Sequence, residues 1–176
     1  MIDLLRTRRS VRKFTEQAVE PELLNLLKET VLRSPSSKNS NACEFIFIDD
    51  QILIEKLYHC RPSGASSFDT APLAVVVLSN KSKTGAWTED CSIASILLQL
   101  TAHSIGLGSC WIQIRGRNYY EEKTSETYLR EILDIPEYFR ILSIVAIGHP
   151  QRIPEGKPYS DLDFSRIHIN HLIPSH

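Results

Sequence analysis

This 176-residue chain has no excess of charge of either sign, because 20 lysines and arginines stand against 21 aspartates and glutamates. The balance argues against a nucleic-acid-binding protein, whose domains are usually strongly basic. The apolar runs are too short to cross a bilayer, so no membrane association is expected. The four cysteines form no CxxC pair, which argues against a zinc ribbon or a ferredoxin-type cluster.

Several common catalytic motifs are missing as well. The chain contains no P-loop, no GxSxG and no HExxH, and its six histidines show no metal-ligand spacing. No set of acid, base and nucleophile is evident, and no metal site is expected. An enzyme with these absences would depend on a bound cofactor for its chemistry. No apolar leader precedes the arginines near the start, so we expect a cytoplasmic protein with reduced thiols.

Strand patterns alternate with helix patterns along the chain, which predicts a layered α+β or α/β domain. The run 73–79 is apolar throughout, as expected of a strand that is covered on both faces. We interpret residues 1–176 as one domain in which the polar residues 149–176 form an extended C-terminal arm. Helices are predicted over 2–8, 19–34, 51–60, 90–106 and 125–135, and strands over 45–48, 73–79, 109–115 and 141–148.

The predicted helix over 90–106 is apolar nearly all round, so we expect it in the centre of the core. Thr88 is its predicted N-cap, and Glu89 and Asp90 fall in the first turn, where their charge complements the helix dipole. Gly106 is the predicted stop signal.

Positive charge is concentrated in RTRRSVRKF, residues 6–14, where five of nine side chains are cationic. A phosphate monoester offers close to two negative charges and three acceptor oxygens, which arginine matches in bidentate geometry. Three guanidinium groups and a hydroxyl lie within five residues of this segment: Arg8, Arg9, Ser10 and Arg12. A phosphate site is one interpretation. A solvated basic face or a weak nucleic-acid patch is the other.

Two further segments could contact a ligand. The loop SPSSKNSNA, residues 34–42, carries short polar side chains that could bind a flat heteroaromatic ring, although an ordinary helix-to-strand turn has the same composition. In GLGSCWIQIRGR, two glycines between a helix and a strand let the backbone pass close to another object. This segment is not a dinucleotide fingerprint, because it follows a helix and opens a strand.

Six segments, in this order, resemble the nitroreductase family of FMN-dependent oxidoreductases. They are RRSVRKF, PSSKNSNA, APLAVVV, GLGSCWI, IVAIGHP and KPYSDLDFSRIHIN. The resemblance covers essentially the whole chain. It implies an α+β fold with three layers, α/β/α, in which helices flank a central, mostly antiparallel sheet and the C-terminal arm is extended.

The resemblance also implies a homodimer that binds two FMN molecules at the interface of its subunits. The RRSxR segment would hold the ribityl phosphate with the help of a lysine. A loop from the second subunit would lie along the flavin, and backbone groups at one strand would meet the flavin edge. The phosphate residues are Arg8, Arg9, Ser10, Arg12 and Lys157, the loop residues are Pro35, Ser36, Ser37, Asn39 and Asn41, and the strand residues are Trp111, Ile112 and Gln113.

The chain departs from the family pattern at three positions. Asn41 stands where the family often has glutamine, and Cys43 where an aromatic residue is often found. Tyr159 stands where an arginine often assists the phosphate.

The activity implied by the resemblance is ping-pong transfer of hydride. NADH or NADPH would donate hydride to the flavin and leave, and a small acceptor such as a nitroaromatic or a quinone would then be reduced in the same cleft. The residues leave two alternatives open. One is another reaction on the same fold, such as dehalogenation or flavin breakdown. The other is a flavin-binding protein without turnover.

Overall fold

A computed structural model of the chain describes residues 1–120 and 122–172. These residues form five helices and six strands. The helices are α1 (Ile2–Thr7), α2 (Pro21–Leu32), α3 (Gln51–Tyr58), α4 (Trp87–Ser104) and α5 (Ser125–Leu133). The strands are β1 (Cys43–Ile48), β2 (Leu73–Asn80), β3 (Gly108–Gln113), β4 (Asn118–Tyr120), β5 (Lys123–Thr124) and β6 (Phe139–Gly148).

The main sheet has four strands in the order β1-β2-β6-β3, and every neighbouring pair is antiparallel. The central strands are therefore β2 and β6, and the edges are β1 and β3. Strands β4 and β5 form a separate small antiparallel pair that the sequence did not predict.

Helices cover both faces of this sheet, and alternate residues of the central strands enter two different cores. Val75 and Val145 pack with Leu27 of α2 and Leu98 of α4. Val76, the next residue of β2, packs on the opposite face with side chains of α3 and α5. Because a strand directs successive side chains to opposite faces, this arrangement explains the continuous apolar run. It confirms the three-layer α+β fold with an antiparallel central sheet.

Helix α4 differs in two respects from its prediction. It begins at Trp87 with Ala86 as its N-cap residue, so Thr88 lies inside the first turn and does not cap the helix. The Thr84 hydroxyl instead accepts a hydrogen bond from the Ala86 backbone N–H and closes the preceding turn. The helix is buried along one side only, since Ile93 and Ile96 are each 38% exposed.

The end of α4 agrees with the prediction. The helix ends at Ser104, and Gly106 adopts the left-handed conformation with φ of +85°. The backbone N–H of Leu107 returns to the carbonyl of Ala102 at 2.8 Å. This tight turn directs the chain straight into β3.

The start of the C-terminal arm is fixed to the N-terminal segment. The Thr15 N–H donates to the His149 carbonyl at 2.8 Å, and the Gln151 N–H donates to the Lys13 carbonyl at 3.1 Å. Beyond these contacts the described arm is extended, with short 3-10 turns at Tyr159–Asp161 and Phe164–Arg166. The interpretation of the chain as one domain stays a prediction.

No helix within residues 1–120 and 122–172 has both the length and the hydropathy needed to cross a membrane.

Candidate functional site

The cationic segment, residues 6–14, lies along the free edge of β3. Ser10 forms a parallel bridge with Ser109, and the Val11 N–H donates to the Ser109 carbonyl at 2.9 Å. Val11 and Phe14 are 4% and 1% exposed, and these two apolar side chains anchor the segment in the core. The apolar side chains of the segment therefore fix it to the sheet, and its cationic side chains are not needed for this packing.

Gly108 makes this close approach possible. A Cβ atom at Gly108 would lie 2.8 Å from Cβ and Cγ1 of Val11, a distance that real side chains do not tolerate. The glycine in the GLGSCWI segment is therefore required by packing against the cationic segment, as the sequence suggested for a backbone that passes close to another object.

Arg8 provides the clearest sign of a ligand. It is half-buried, and its Nη1 atom is shielded from solvent without a hydrogen-bond partner among the described residues. Two neighbouring cations have partners, since Arg6 pairs with Asp3 at 3.0 Å and Lys13 pairs with Asp69 at 2.9 Å. A buried guanidinium nitrogen without a hydrogen-bond partner among the described residues is costly, and an anion would satisfy it. The residues present therefore fit a phosphate group.

The polar loop 34–42 has an unusual backbone. Lys38, Asn39 and Asn41 all have left-handed conformations, with φ between +46° and +53°. Asparagine tolerates this region, but it is strained for lysine. The Ser36 hydroxyl stabilises the loop by accepting a hydrogen bond from the Asn41 N–H at 3.0 Å. The Asn41 side-chain amide donates to the Asn39 carbonyl at 3.2 Å.

Asp90 is a site residue that the sequence reasoning placed only at a helix N-terminus. Its Oδ1 accepts a hydrogen bond from the Ser37 backbone N–H at 2.8 Å and so fixes the loop to α4. The residue is 3% exposed, and its Oδ2 has no partner in the described part of the chain. The two residues are 53 positions apart, so no local pattern in the sequence could show this contact.

The structure places the loop and the arginines on opposite edges of the sheet. The loop leads into β1, whereas the cationic segment lies along β3. Three strand spacings separate these edges, or about 14 Å at ~4.8 Å per strand. One chain therefore does not bring the two predicted groups of residues together at one place.

On β3, Trp111, Ile112 and Gln113 occupy different environments. The Ile112 side chain is fully buried in the core, so only its backbone can meet a ligand. Trp111 Nε1 donates to Gln113 Oε1 at 3.0 Å, and Gln113 Nε2 donates to the Arg115 carbonyl at 3.0 Å. Arg61 Nη1 donates to the Gln113 carbonyl at 3.1 Å. These bonds hold the end of β3 in one arrangement.

Lys157 lies where the arm crosses α1. A Cβ atom at the preceding Gly156 would clash with the Arg6 carbonyl oxygen, so the two backbones are in close contact. Lys157 lines a cavity of about 410 Å³ together with Arg6 and Tyr159. The arm thus brings Lys157 to the helix that leads directly into Arg8.

Together, the helix-covered antiparallel sheet and the arginine segment at its edge define an α+β protein with a candidate phosphate site. The model of the nitroreductase family matches residues 5–62 and 59–149. The chain belongs to the nitroreductase family.

Individual relatives agree with this assignment. A solved structure named as an FMN-dependent nitroreductase from Clostridium difficile R20291 is 39% identical, with a TM-score of 0.95 over 98% of this chain and 100% of that one. A protein named "Putative NADH dehydrogenase/NAD(P)H nitroreductase" from Methanothermobacter thermautotrophicus is 31% identical over 96% of this chain and 86% of its own length. An "FMN reductase [NAD(P)H]" from Bacillus subtilis is 26% identical over 90% of this chain and 69% of its own length.

Substitution of Gly108 tests the contact between the cationic segment and β3. We expect Gly108→Ala to lower the free energy of unfolding by about 1–3 kcal/mol, because the new methyl group must displace Val11. Gly85→Ala is the matched control, since no described atom outside the neighbouring residues lies within 4 Å of its Cβ position. Urea denaturation measures both variants. Equal midpoints for Gly108→Ala and the unaltered protein would contradict the packing argument.

Proposed function

We propose that the protein is an FMN-dependent oxidoreductase that uses NADH or NADPH to reduce small acceptors such as nitroaromatics or quinones. The observation that carries the proposal is the buried Nη1 of Arg8, which has no hydrogen-bond partner within residues 1–120 and 122–172, in a segment that the family model includes. Bound FMN would supply the redox chemistry by accepting hydride and passing it to the acceptor. The protein would bind and orient the participants.

The phosphate end of the cofactor is assigned to the cationic segment. Arginine forks and the Ser10 hydroxyl offer donors that suit phosphate oxygens, and Lys157 adds a charge from the arm. The segment is held in register by the Ser10–Ser109 bridge. The residues proposed for this task are Arg8, Arg9, Ser10, Arg12 and Lys157.

We assign the contacts with the flavin ring to residues of two different subunits. One would contribute the end of β3, where Trp111, Ile112 and Gln113 would present backbone groups to the ring edge. The other would contribute the loop residues Pro35, Ser36, Ser37, Asn39 and Asn41. Asp90 would act as a positioning residue, because it fixes the loop backbone through Ser37.

A homodimer accounts for the separation of these two groups within one chain. Exposed apolar side chains support it, because burial of apolar surface favours the association of protein chains. Ile93 and Ile96 are exposed on α4, and Ile167 and Ile169 on the arm are 67% and 81% exposed.

We also propose a cytoplasmic location. The four cysteines all lie within residues 1–120 and are free thiols, as a reducing compartment favours.

The phosphate assignment predicts weaker FMN binding when either of two arginines is removed. Arg8→Ala or Arg12→Ala should reduce FMN affinity about 10- to 150-fold, because a charge-assisted hydrogen bond contributes about 1.5–3 kcal/mol. Quenching of FMN fluorescence during titration of apoprotein measures the affinity. Lys28→Ala, an exposed cation on α2, is the control and should leave affinity unchanged. Unaltered affinity in both arginine variants would remove the assignment.

The shared site predicts rescue between two defective chains. Arg8→Ala/Arg12→Ala and Asn39→Ala chains are co-expressed with different tags and purified through both. Each mixed dimer then has one site built from intact arginines and an intact loop, so FMN should bind tightly at one of its two sites. Each variant alone should bind weakly at both. Weak binding throughout the mixed dimer would place the site within one chain.

The proposed reaction predicts a reducible flavin. NADH is added anaerobically to one sample and NADPH to a second. The nucleotide that serves as the donor should bleach the visible flavin absorption, which identifies it. Later addition of a quinone, a nitroaromatic or a halogenated compound should restore the absorption with a suitable acceptor. Bound flavin that stays oxidised with both nucleotides would favour a flavin-binding protein without turnover. A protein that takes up no FMN would contradict the proposal.

A further inference from the structure

Two cysteines that are distant in the sequence meet beside the polar loop. Cys43 is the first residue of β1, and Cys91 lies in the second turn of α4. Their sulfur atoms are 3.5 Å apart, although the residues are separated by 48 positions. A disulfide requires about 2.05 Å between the sulfur atoms, so only about 1.5 Å remains to be closed by side-chain rotation.

The two thiols have different environments. Cys43 is half-buried and lines a small cavity of about 170 Å³ together with Ser36, Asn41 and Phe45. Cys91 is completely buried, and its sulfur lies against that of Cys43. Cys43 can therefore meet a reagent that enters the cavity, and Cys91 is placed to attack the Cys43 sulfur once that reagent is attached.

Hydrogen bonding makes Cys43 the reactive member of the pair. The hydrogen bond between the two sulfur atoms lowers the pKa of the Cys43 thiol, against the opposing effect of partial burial. The same bond, followed by burial, raises the pKa of the Cys91 thiol. Asp90, the neighbour of Cys91, raises the pKa of both thiols by its negative charge. The thiolate is the nucleophile in exchange reactions, so Cys43 reacts first.

We propose that Cys43 and Cys91 form a redox site that reacts with small-molecule disulfides and closes reversibly to an intramolecular disulfide. Two observations carry this inference: the contact between the two sulfur atoms, and the position of Cys43, but not of the buried Cys91, at the cavity. It involves no electron transfer to or from FMN, although the cavity beside Cys43 is lined by Ser36 and Asn41 of the loop proposed above to contact the flavin.

The chemistry is a pair of thiol–disulfide exchanges. The Cys43 thiolate attacks one sulfur of the small disulfide, which forms a mixed disulfide and releases the first small thiolate. That thiolate takes up the proton that Cys43 lost. The Cys91 sulfur then attacks Cys43 Sγ, the bond to the attached small group breaks, and the Cys91 proton passes to the second leaving thiolate. The protein loses two electrons and two protons, and the small disulfide becomes two thiols.

Loss of the Cys43 thiolate also prepares the second step. While Cys43 is free, its hydrogen bond with Cys91 is the largest cause of the raised pKa of Cys91. Formation of the mixed disulfide removes both that hydrogen bond and the charge of the Cys43 thiolate, each of which raises the pKa of Cys91, so Cys91 becomes easier to deprotonate.

The other two cysteines provide an internal comparison. Cys60 is completely buried, and burial raises the pKa of its thiol to about 12. Cys110 is 5% exposed, and its sulfur contacts the Trp111 carbonyl at 3.8 Å. Neither combines an open side with a neighbouring thiol as Cys43 does.

The test treats the purified, folded protein with 2,2′-dithiodipyridine, quenches the reaction with acid, and measures the mass of the intact protein. We expect a product about 2 Da lighter than the reduced protein, with one peptide that joins Cys43 to Cys91. Dithiothreitol should restore the starting mass. A wild-type protein that keeps the pyridylthio group, that does not react, or that joins other cysteines would overturn the proposal.

Three variants sharpen the result. Cys91→Ser should retain one pyridylthio group on Cys43, because the resolving thiol is missing. Cys43→Ser should remain unmodified while the protein is folded, and Cys110→Ala should behave like the wild type. Modification of Cys91 in the Cys43→Ser protein at the wild-type rate would show that Cys43 is not the entry point and would overturn the proposed order.

Discussion

The attachment of the N-terminal segment to the edge of β3 is the contact on which the candidate site depends. The Ser10–Ser109 bridge sets the register, and the absence of a side chain at Gly108 gives Val11 its place. The burial of Val11 and Phe14 anchors a segment whose remaining side chains are mostly cationic. An exposed basic run would move freely in solvent. Here the sheet holds it, which allows Arg8 to keep a guanidinium nitrogen buried without a partner among the described residues.

The topology of the sheet separates functions that the proposed reaction needs together. Strands β1 and β3 form opposite edges, so the polar loop and the arginines cannot meet within one chain. In a dimer, the loop of one subunit could meet the arginines of the other if each subunit placed one sheet edge against its partner. The exposed isoleucines on α4 and on the arm are surfaces that such an association could bury. Assembly and cofactor binding would then be one event.

The sequence predicted elements whose signal is local. The unbroken apolar run of β2 indicated two covered faces, and Gly106 marked the end of α4, because each depends on neighbouring residues. The N-cap prediction at Thr88 was wrong, since the turn at Thr84 starts the helix earlier. The roles of Asp90 and of the Cys43–Cys91 pair were missed. Contacts across about 50 positions depend on how the layers pack, which no spacing pattern in a single chain records.

The arm contacts also determine when the arginine segment can take its shape during synthesis. Residues 8–15 leave the ribosome early, but their partners Ser109, His149 and Gln151 are made after most of the chain. Until then the cations have no strand edge to occupy, and contacts of such long range form late because loop closure costs entropy before any contact repays it. A nascent chain halted before β3 would therefore carry Arg8, Arg9 and Arg12 but no strand edge to hold them around an anion.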